Sequence, residues 1–177
     1  IQRGEDILIP NGFDALEADD LMSFIAAPKD VSKFFIKLGV DYTPVRDCII
    51  VGGGRISYYI ARYIDEMHLN MRLKIIDSNK ERCEYLADVL PDSIIINGDG
   101  IDAELLKKEG IENTDAFCSL TGFDEENIML SLYAGKLSDA RLITKINRIA
   151  FENVTNEMNL GSVIYPKQIV AESILRY

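Results

Sequence analysis

Val51-Gly52-Gly53-Gly54-Arg55-Ile56-Ser57 is the stretch on which the reading of this chain turns. It follows a short apolar run, Asp47 to Val51, and precedes a helical pattern from about Ile56 to Met67. Strand, glycine turn and helix in that order give a glycine motif its meaning. Gly52 permits the tight turn out of the strand, and Gly54, lacking a side chain, lets a pyrophosphate approach the backbone. The first N–H groups of the helix then face phosphate oxygens, with the helix dipole behind them. A second apolar run, Leu73 to Asp77, ends in a carboxylate 23 residues after Gly54. In a dinucleotide fold a carboxylate at that place accepts hydrogen bonds from a ribose hydroxyl.

Working outward, apolar runs alternate with helical patterns to the end of the chain. Strands are expected at Asp47–Val51, Leu73–Asp77, Ser93–Ile96, Ala116–Leu120, Arg141–Ile146 and Gly161–Tyr165. Helices are expected over Asn79 to about Leu90, from Asp102 as a cap to near Gly110, and from about Glu125 to Leu137. Two more are expected over Ile149–Asn159 and from Pro166 onward. Strands this apolar, spaced by helices, imply a six-stranded parallel sheet covered on both faces. With right-handed crossovers the sheet becomes a doubly wound, Rossmann-like α/β domain over residues 47–177.

Residues 1–40 have a different texture. Asp6–Pro10 reads as a strand, Asn11-Gly12 as a turn, and Leu21–Ala26 as a second apolar run ended by Pro28. Asp30 is placed to cap a helix carrying Val31, Phe34, Phe35 and Leu38, with Gly39 as its stop. Two or three strands and one helix are too little to close a core alone. Residues 41–46, with Pro44, read as a linker, and the chain, which does not begin with Met, as a piece of a longer protein.

The 177 residues are 47% apolar and carry a net charge of −10. That charge repels nucleic acid and anionic lipid, so neither is expected as a direct partner. No apolar run is long enough to span a bilayer. Cys48, Cys83 and Cys118 are widely spaced on apolar faces and read as buried structural thiols, which fits a reducing compartment. His68, the single histidine, has no nucleophile or carboxylate to pair with and reads as a surface residue.

Ligands of doubly wound sheets lie beyond the carboxyl ends of the strands. That rule selects Gly52, Gly53, Gly54, Arg55 and Ile56 after the first strand, and Asp77 and Ser78 after the second. Gly98-Asp99-Gly100 follows the third, where Asp99 meets the adenine end of a nucleotide or, with Asp102, serves as a helix cap. Thr121 and Gly122 follow the fourth and approach a ribose or phosphate through backbone groups. Asp124 belongs to the same cluster or is an N-cap. At the end of the fifth strand are Lys145 and Asn147-Arg148; Lys145 is the candidate phosphate cation, and Arg55 is the second.

Gly-Gly-Gly-Arg55-Ile, Ile-Ile-Asp77, Asn-Gly-Asp99-Gly, Ser-Leu-Thr121-Gly-Phe-Asp-Glu-Glu-Asn127 and Thr144-Lys145-Ile-Asn-Arg148 stand in series. Over about residues 45–177 this series resembles the RCK, or KTN, regulatory nucleotide-binding domain of potassium transport systems. Residues 1–40 resemble, more weakly, the end of the small α+β C-terminal lobe that follows such a domain. The resemblance implies binding of NAD(H) or ATP/ADP that sets the state of a membrane-embedded potassium transporter subunit. It places the protein in the cytoplasm, peripheral on the inner face of the membrane. It implies phosphate at Gly52–Ile56, ribose at Asp77, the adenosine side at Asp99, and the remaining ribose and phosphates at Thr121, Gly122 and Lys145. It also suggests self-association, which fits the apolar positions of the last helix, Ile169, Val170, Ile174 and Leu175. Ser57 departs from the pattern by standing at the third glycine position, where a small hydroxyl side chain is expected to be tolerated but to loosen helix–strand packing and blunt affinity.

The alternative is an NAD-dependent oxidoreductase fragment. Such an enzyme needs an acid or base near the nicotinamide. Neither a Tyr-x-x-x-Lys pair nor paired histidines are present, and Tyr133 and Lys136 are three apart rather than four. The sequence therefore favours a sensing module without catalysis over an enzyme, with a purely structural scaffold as a third class.

Overall fold

A computed structural model describes residues 1–4, 6–23, 25–39, 44–148, 155 and 158–175. It divides the chain into two compact units, Ile1–Pro44 and Val45–Tyr177.

In the second unit, strands β3 (Asp47–Val51), β4 (Arg72–Asp77), β5 (Ile94–Asn97), β6 (Ala116–Ser119), β7 (Arg141–Lys145) and β8 (Ser162–Ile164) form one sheet. Its order is β5-β4-β3-β6-β7-β8, and every neighbouring pair is parallel. In chain order that is 3-2-1-4-5-6, the doubly wound arrangement expected from the alternating pattern. Because successive side chains alternate across a strand, β3 feeds two cores. Cys48 and Ile50 join Ala61 and Ile64 of α2 (Arg55–Glu66) and Leu86 and Leu90 at α3 (Lys80–Val89) on one face. Ile49 and Val51 join Leu106 of α4 (Ala103–Lys108) and Leu130 and Ala134 of α5 (Asp124–Leu137) on the other. Each large aliphatic side chain fully buried this way contributes roughly 1.5–3 kcal/mol.

The helices start where short polar side chains accept orphan N–H groups. Asn79 accepts from Arg82 N–H to open α3, and Asp102 accepts from Glu104 and Leu105 N–H to open α4. The expected strands agree with the observed ones to within two residues at each end. Of the expected helix over Ile149–Asn159, most lies outside the described residues. The last helix, α6 (Pro166–Leu175), buries none of its residues and exposes Ile169, Val170, Ile174 and Leu175. All three cysteines are buried and free, with Cys48 Sγ 4.0 Å from Cys118 Sγ on adjacent strands. His68 takes a left-handed conformation (φ 50°) just past α2.

The first unit departs more from expectation. β1 (Gln2–Arg3) pairs antiparallel with β2 (Asp6–Ile7), and the pairing does not run on to Pro10. Among the described residues of the apolar run Leu21–Ala26, only Leu21 is paired, bridging to Gln2. Helix α1 (Pro28–Lys37) has Ala27 at its N-cap, so Pro28 opens the helix and Asp30 lies in its first turn instead of capping it. Proline's fixed φ suits a first helical position, where its missing N–H costs nothing. Arg3 ties the unit together. Its Nε and Nη2 donate to the two oxygens of Asp20 at 2.8 Å, holding that carboxyl down to about 2, and Nη2 also reaches Ala15 O. The expected linker, 41–46, falls partly outside the described residues.

Candidate functional site

Between β3 and β6 the connections leave on opposite faces, and a crevice opens at their carboxyl ends. A cleft of about 550 Å³ lies there. Gly52, Gly54, Asp77, Ser78, Asp99, Thr121, Gly122 and Lys145, all singled out from the sequence, line it. Gly53, Arg55 and Ile56 do not. Gly53 faces Asp77 and Leu86, Arg55 is exposed at the first turn of α2, and Ile56 packs on the α2–α3 core.

Three glycines of this region are glycine for two different reasons. Gly52 has φ +101°, and a Cβ there would stand 2.8 Å from the backbone of Leu120 and Thr121, so the turn itself requires it. Gly54 and Gly122 have no left-handed φ, and a Cβ on either would meet nothing within 4 Å. Neither torsion nor packing within the protein asks for glycine at these two places. Both line the cleft, so the space beside each is what a bound group would fill. Gly54 is also the N-cap of α2, where no side chain caps the helix and no acid stands in the first turn. That end is left to present N–H groups to an anion.

Asp77 is drawn into the same turn. Its Oδ2 accepts from Gly53 N–H at 2.6 Å and its Oδ1 from Asn79 N–H at 2.8 Å. A carboxylate has about four acceptor positions, so Asp77 keeps lone pairs for further donors. Asp99 Oδ1 accepts from Ile101 N–H, closing a tight turn beside the cleft, while the cap of α4 is Asp102. Ser57 does not loosen the packing. It is fully buried, and its hydroxyl donates back to the Gly52 carbonyl, bracing the turn from the α2 side.

The opposite wall holds residues that sequence patterning passed over. Asn127 is fully buried and pins two strand ends at once. Its Oδ1 accepts from Thr121 N–H at 2.8 Å, and its Nδ2 donates to Lys145 O at 2.9 Å and to Thr121 O at 3.3 Å. Thr121 N–H is therefore engaged within the protein. The Thr121 hydroxyl pairs with the Phe123 backbone, and Gly122, Glu126 and Lys145 line the cleft beside it. Deeper in, the hydroxyls of Ser119, Ser131 and Thr144 form a chain of 2.6 Å contacts that ends on Leu160 O. Asp124 is not an N-cap; Phe123 holds that position. The Asp124 carboxylate is buried and accepts from Asn147 N–H and Nδ2 and from Arg148 N–H and Nε. Burial alone would raise its pKa, but those donors outweigh burial and hold it below the usual carboxylate range. Lys145 Nζ donates to Leu120 O at 3.0 Å, and burial lowers its pKa against the opposing pull of Asp124.

The strand order, the uncapped helix behind a glycine turn and the carboxylate closing the second strand define a Rossmann-like domain. Residues 48–166 match the TrkA-N domain, and the chain belongs to that family. All 177 residues align at 33% identity with the Trk system potassium uptake protein TrkA of Halomonas elongata, over 38% of that protein. The TrkA protein of Haemophilus influenzae is 31% identical over 99% of this chain and 38% of its own length. The chain thus spans well under half the length of these curated relatives. Among solved structures, the TrkA-N domain of the inner membrane protein ybaL from Escherichia coli superposes with a TM-score of 0.65 at 14% identity. That match covers 75% of this chain and 96% of that one. The GsuK channel bound to NAD superposes with a TM-score of 0.58 at 15% identity, over 77% of this chain and 26% of that one. Both likenesses concern the fold.

Proposed function

We propose that this chain is the nucleotide-sensing part of a regulatory subunit of a Trk-type potassium uptake system. It binds NAD(H), with ATP or ADP as the alternative ligands, and passes the ligand state to a membrane-embedded potassium transporter subunit. The observation that carries the reading is the pair Gly54 and Gly122, two cleft glycines with open space where a Cβ would stand. The relatives named as potassium uptake proteins and the NAD-bound GsuK neighbour supply the ligand and the partner. Phosphates lie against Gly54 and the first N–H groups of α2 with Lys145 opposite, the ribose on Asp77, and the adenosine side near Asp99. Binding rather than turnover is its work: the titratable side chains lining the cleft are Asp77, Asp99, Glu126 and Lys145, and His68 sits past the far end of α2. No described helix is long and apolar enough to cross a membrane, and the subunit works at the inner membrane face through its partner. It self-associates through exposed apolar surface such as that of α6, and residues 1–40 are the end of a preceding C-terminal lobe.

Calorimetric titration with NADH and NADPH tests the site. Asp77 accepts ribose hydroxyls and repels an added 2′-phosphate, so the protein binds NADH more tightly than NADPH. Asp77→Ala costs about 1–3 kcal/mol in NADH binding and narrows the preference. Asp77→Asn keeps an acceptor for Gly53 N–H and loses the charge, so it should narrow the preference with less loss of NADH affinity. Equal affinity of the unaltered protein for both cofactors would remove Asp77 from the ribose.

A further inference from the structure

We propose that Arg82, which does not line the cleft, is a positioning residue that sets the direction of the phosphate-facing N–H groups of the glycine turn. The proposal rests on the nucleotide reading above and adds a residue and a mechanism to it. Arg82 reaches back from the first turn of α3. Its Nε donates to Gly53 O at 2.5 Å and its Nη2 to Gly54 O at 3.3 Å. The arginine is itself held: its own N–H is capped by Asn79 Oδ1 at 2.9 Å, and its guanidinium lies 5.0 Å from the centre of the Tyr85 ring.

The consequence follows from peptide geometry. A trans peptide is planar, and its C=O and the next residue's N–H point to opposite sides. Drawing Gly53 O toward α3 therefore turns Gly54 N–H away from α3, while Gly54 O, which also accepts the first bond of α2 from Tyr58 N–H at 3.1 Å, gains in Arg82 a second donor. Gly54 is a cleft-lining residue, so the side away from α3 is where a phosphate is received. Consecutive glycines need such a device. With no Cβ at Gly53 or Gly54, a rotated peptide meets little steric resistance, and a carbonyl oxygen turned toward phosphate would repel it. Neighbouring groups complete the restraint: Ser57 Oγ donates to Gly52 O, and Asp77 holds Gly53 N–H. The turn's three carbonyls, Gly52, Gly53 and Gly54, thus all have donors. Arg82 serves two of them.

Three variants and two measurements test this. Arg82→Met keeps a long stem and loses donors and charge. Arg82→Gln keeps a donor for Gly53 O without charge, and Arg82→Lys keeps the charge without the fork. The affinities of ADP, NADH and adenosine are measured by calorimetry, and amide hydrogen exchange in the turn is followed without ligand. Arg82→Met is expected to weaken ADP and NADH about tenfold and adenosine less than about twofold, while Arg82→Gln recovers most of the loss. In Arg82→Met the Gly53 amide, which Asp77 holds, should exchange faster while those of Ile50 and Ile75 are unchanged. Equal weakening of adenosine and ADP overturns the proposal, as does an Arg82→Gln as weak as Arg82→Met beside an unimpaired Arg82→Lys, which would mean simple charge attraction. Unchanged exchange in the turn overturns it whatever the ligands do. An unaltered protein that binds neither ADP nor NADH removes the nucleotide reading, and the positioning role then stands or falls on exchange alone.

Discussion

The two walls of the cleft are secured in opposite ways. On the β3–β4 side much of the surface is backbone, made of glycines, steadied from behind by Arg82 and at the cleft itself by Asp77, side chains on partly exposed positions. On the β6–β7 side the contacts sit deep. Asn127, Ser131, Thr144 and Asp124 replace apolar packing with buried hydrogen bonds between α5 and the strand ends. A wall whose backbone must be approached closely cannot carry side chains, so its order comes from outside. A wall that frames the other half can be ordered from within, provided each buried polar group finds a partner.

The largest effect expected from breaking this contrast is at Gly52. Gly52→Ala combines a left-handed φ with a Cβ driven into the Leu120–Thr121 backbone, and roughly 2–5 kcal/mol of stability should be lost. Gly54→Ala sharpens the point, since its Cβ meets open space. Its denaturation midpoint should hardly move, while nucleotide affinity falls. Chemical denaturation beside calorimetry separates the two, and a strongly destabilised Gly54→Ala would contradict the reason given for that glycine.

Next in size is Asp124 on the other wall. Asp124→Ala takes the acceptor from Asn147 N–H and Nδ2 and removes one partner of Arg148, at about 2–3 kcal/mol. Its pH dependence carries a sign. The folded pKa lies below the unfolded value, so the carboxylate stabilises the fold above the unfolded value near about 4. That contribution fades as pH falls through the folded pKa. Unfolding curves taken from pH 5 down to pH 2 should therefore fall more steeply for the unaltered protein than for Asp124→Ala. Parallel curves would mean that Asp124 does not titrate as its partners imply.

Smallest is Ser57→Ala, which removes the hydroxyl bond to Gly52 O from a fully buried site and should cost about 1 kcal/mol. A stabilised Ser57→Ala would restore the view that the hydroxyl strains the helix–strand contact.

The glycine wall could be read from the sequence because its signals are local. A strand buried on both faces is an apolar run, the turn glycines follow it directly, and Asn79 and Asp102 mark helix starts by their own chemistry. On the α5 wall the strand-end rule found Thr121, Gly122, Asp124 and Lys145 but not the buried contacts that hold them. Asp124, Asn127 and Ser131 share a helix face with Leu130 and Ala134, yet polar residues at that spacing usually face water. Only their partners, Ser119 and Thr144 on neighbouring strands and the backbone of residues 121 and 145–148, show that this face is buried. The expectation that Ser57 would weaken packing failed for the same reason, because its acceptor is the Gly52 carbonyl five residues earlier. In the Ile1–Pro44 unit, Ile9 and Ile25 lie in apolar runs but remain exposed, since an apolar run becomes a strand only where another strand receives it.

The crossing of chain paths at the sheet centre has a mechanical side. β3 and β6 lie next to each other, but the segments leaving them pass to opposite faces, one into α2 and the other into α5. At this edge the joint between the two helix layers is the row of strand hydrogen bonds beneath it. A molecule seated across both loops acts there as a rivet. Shear between the layers then has to pull against it, so occupancy of the cleft would be felt as stiffness at a distance from the site.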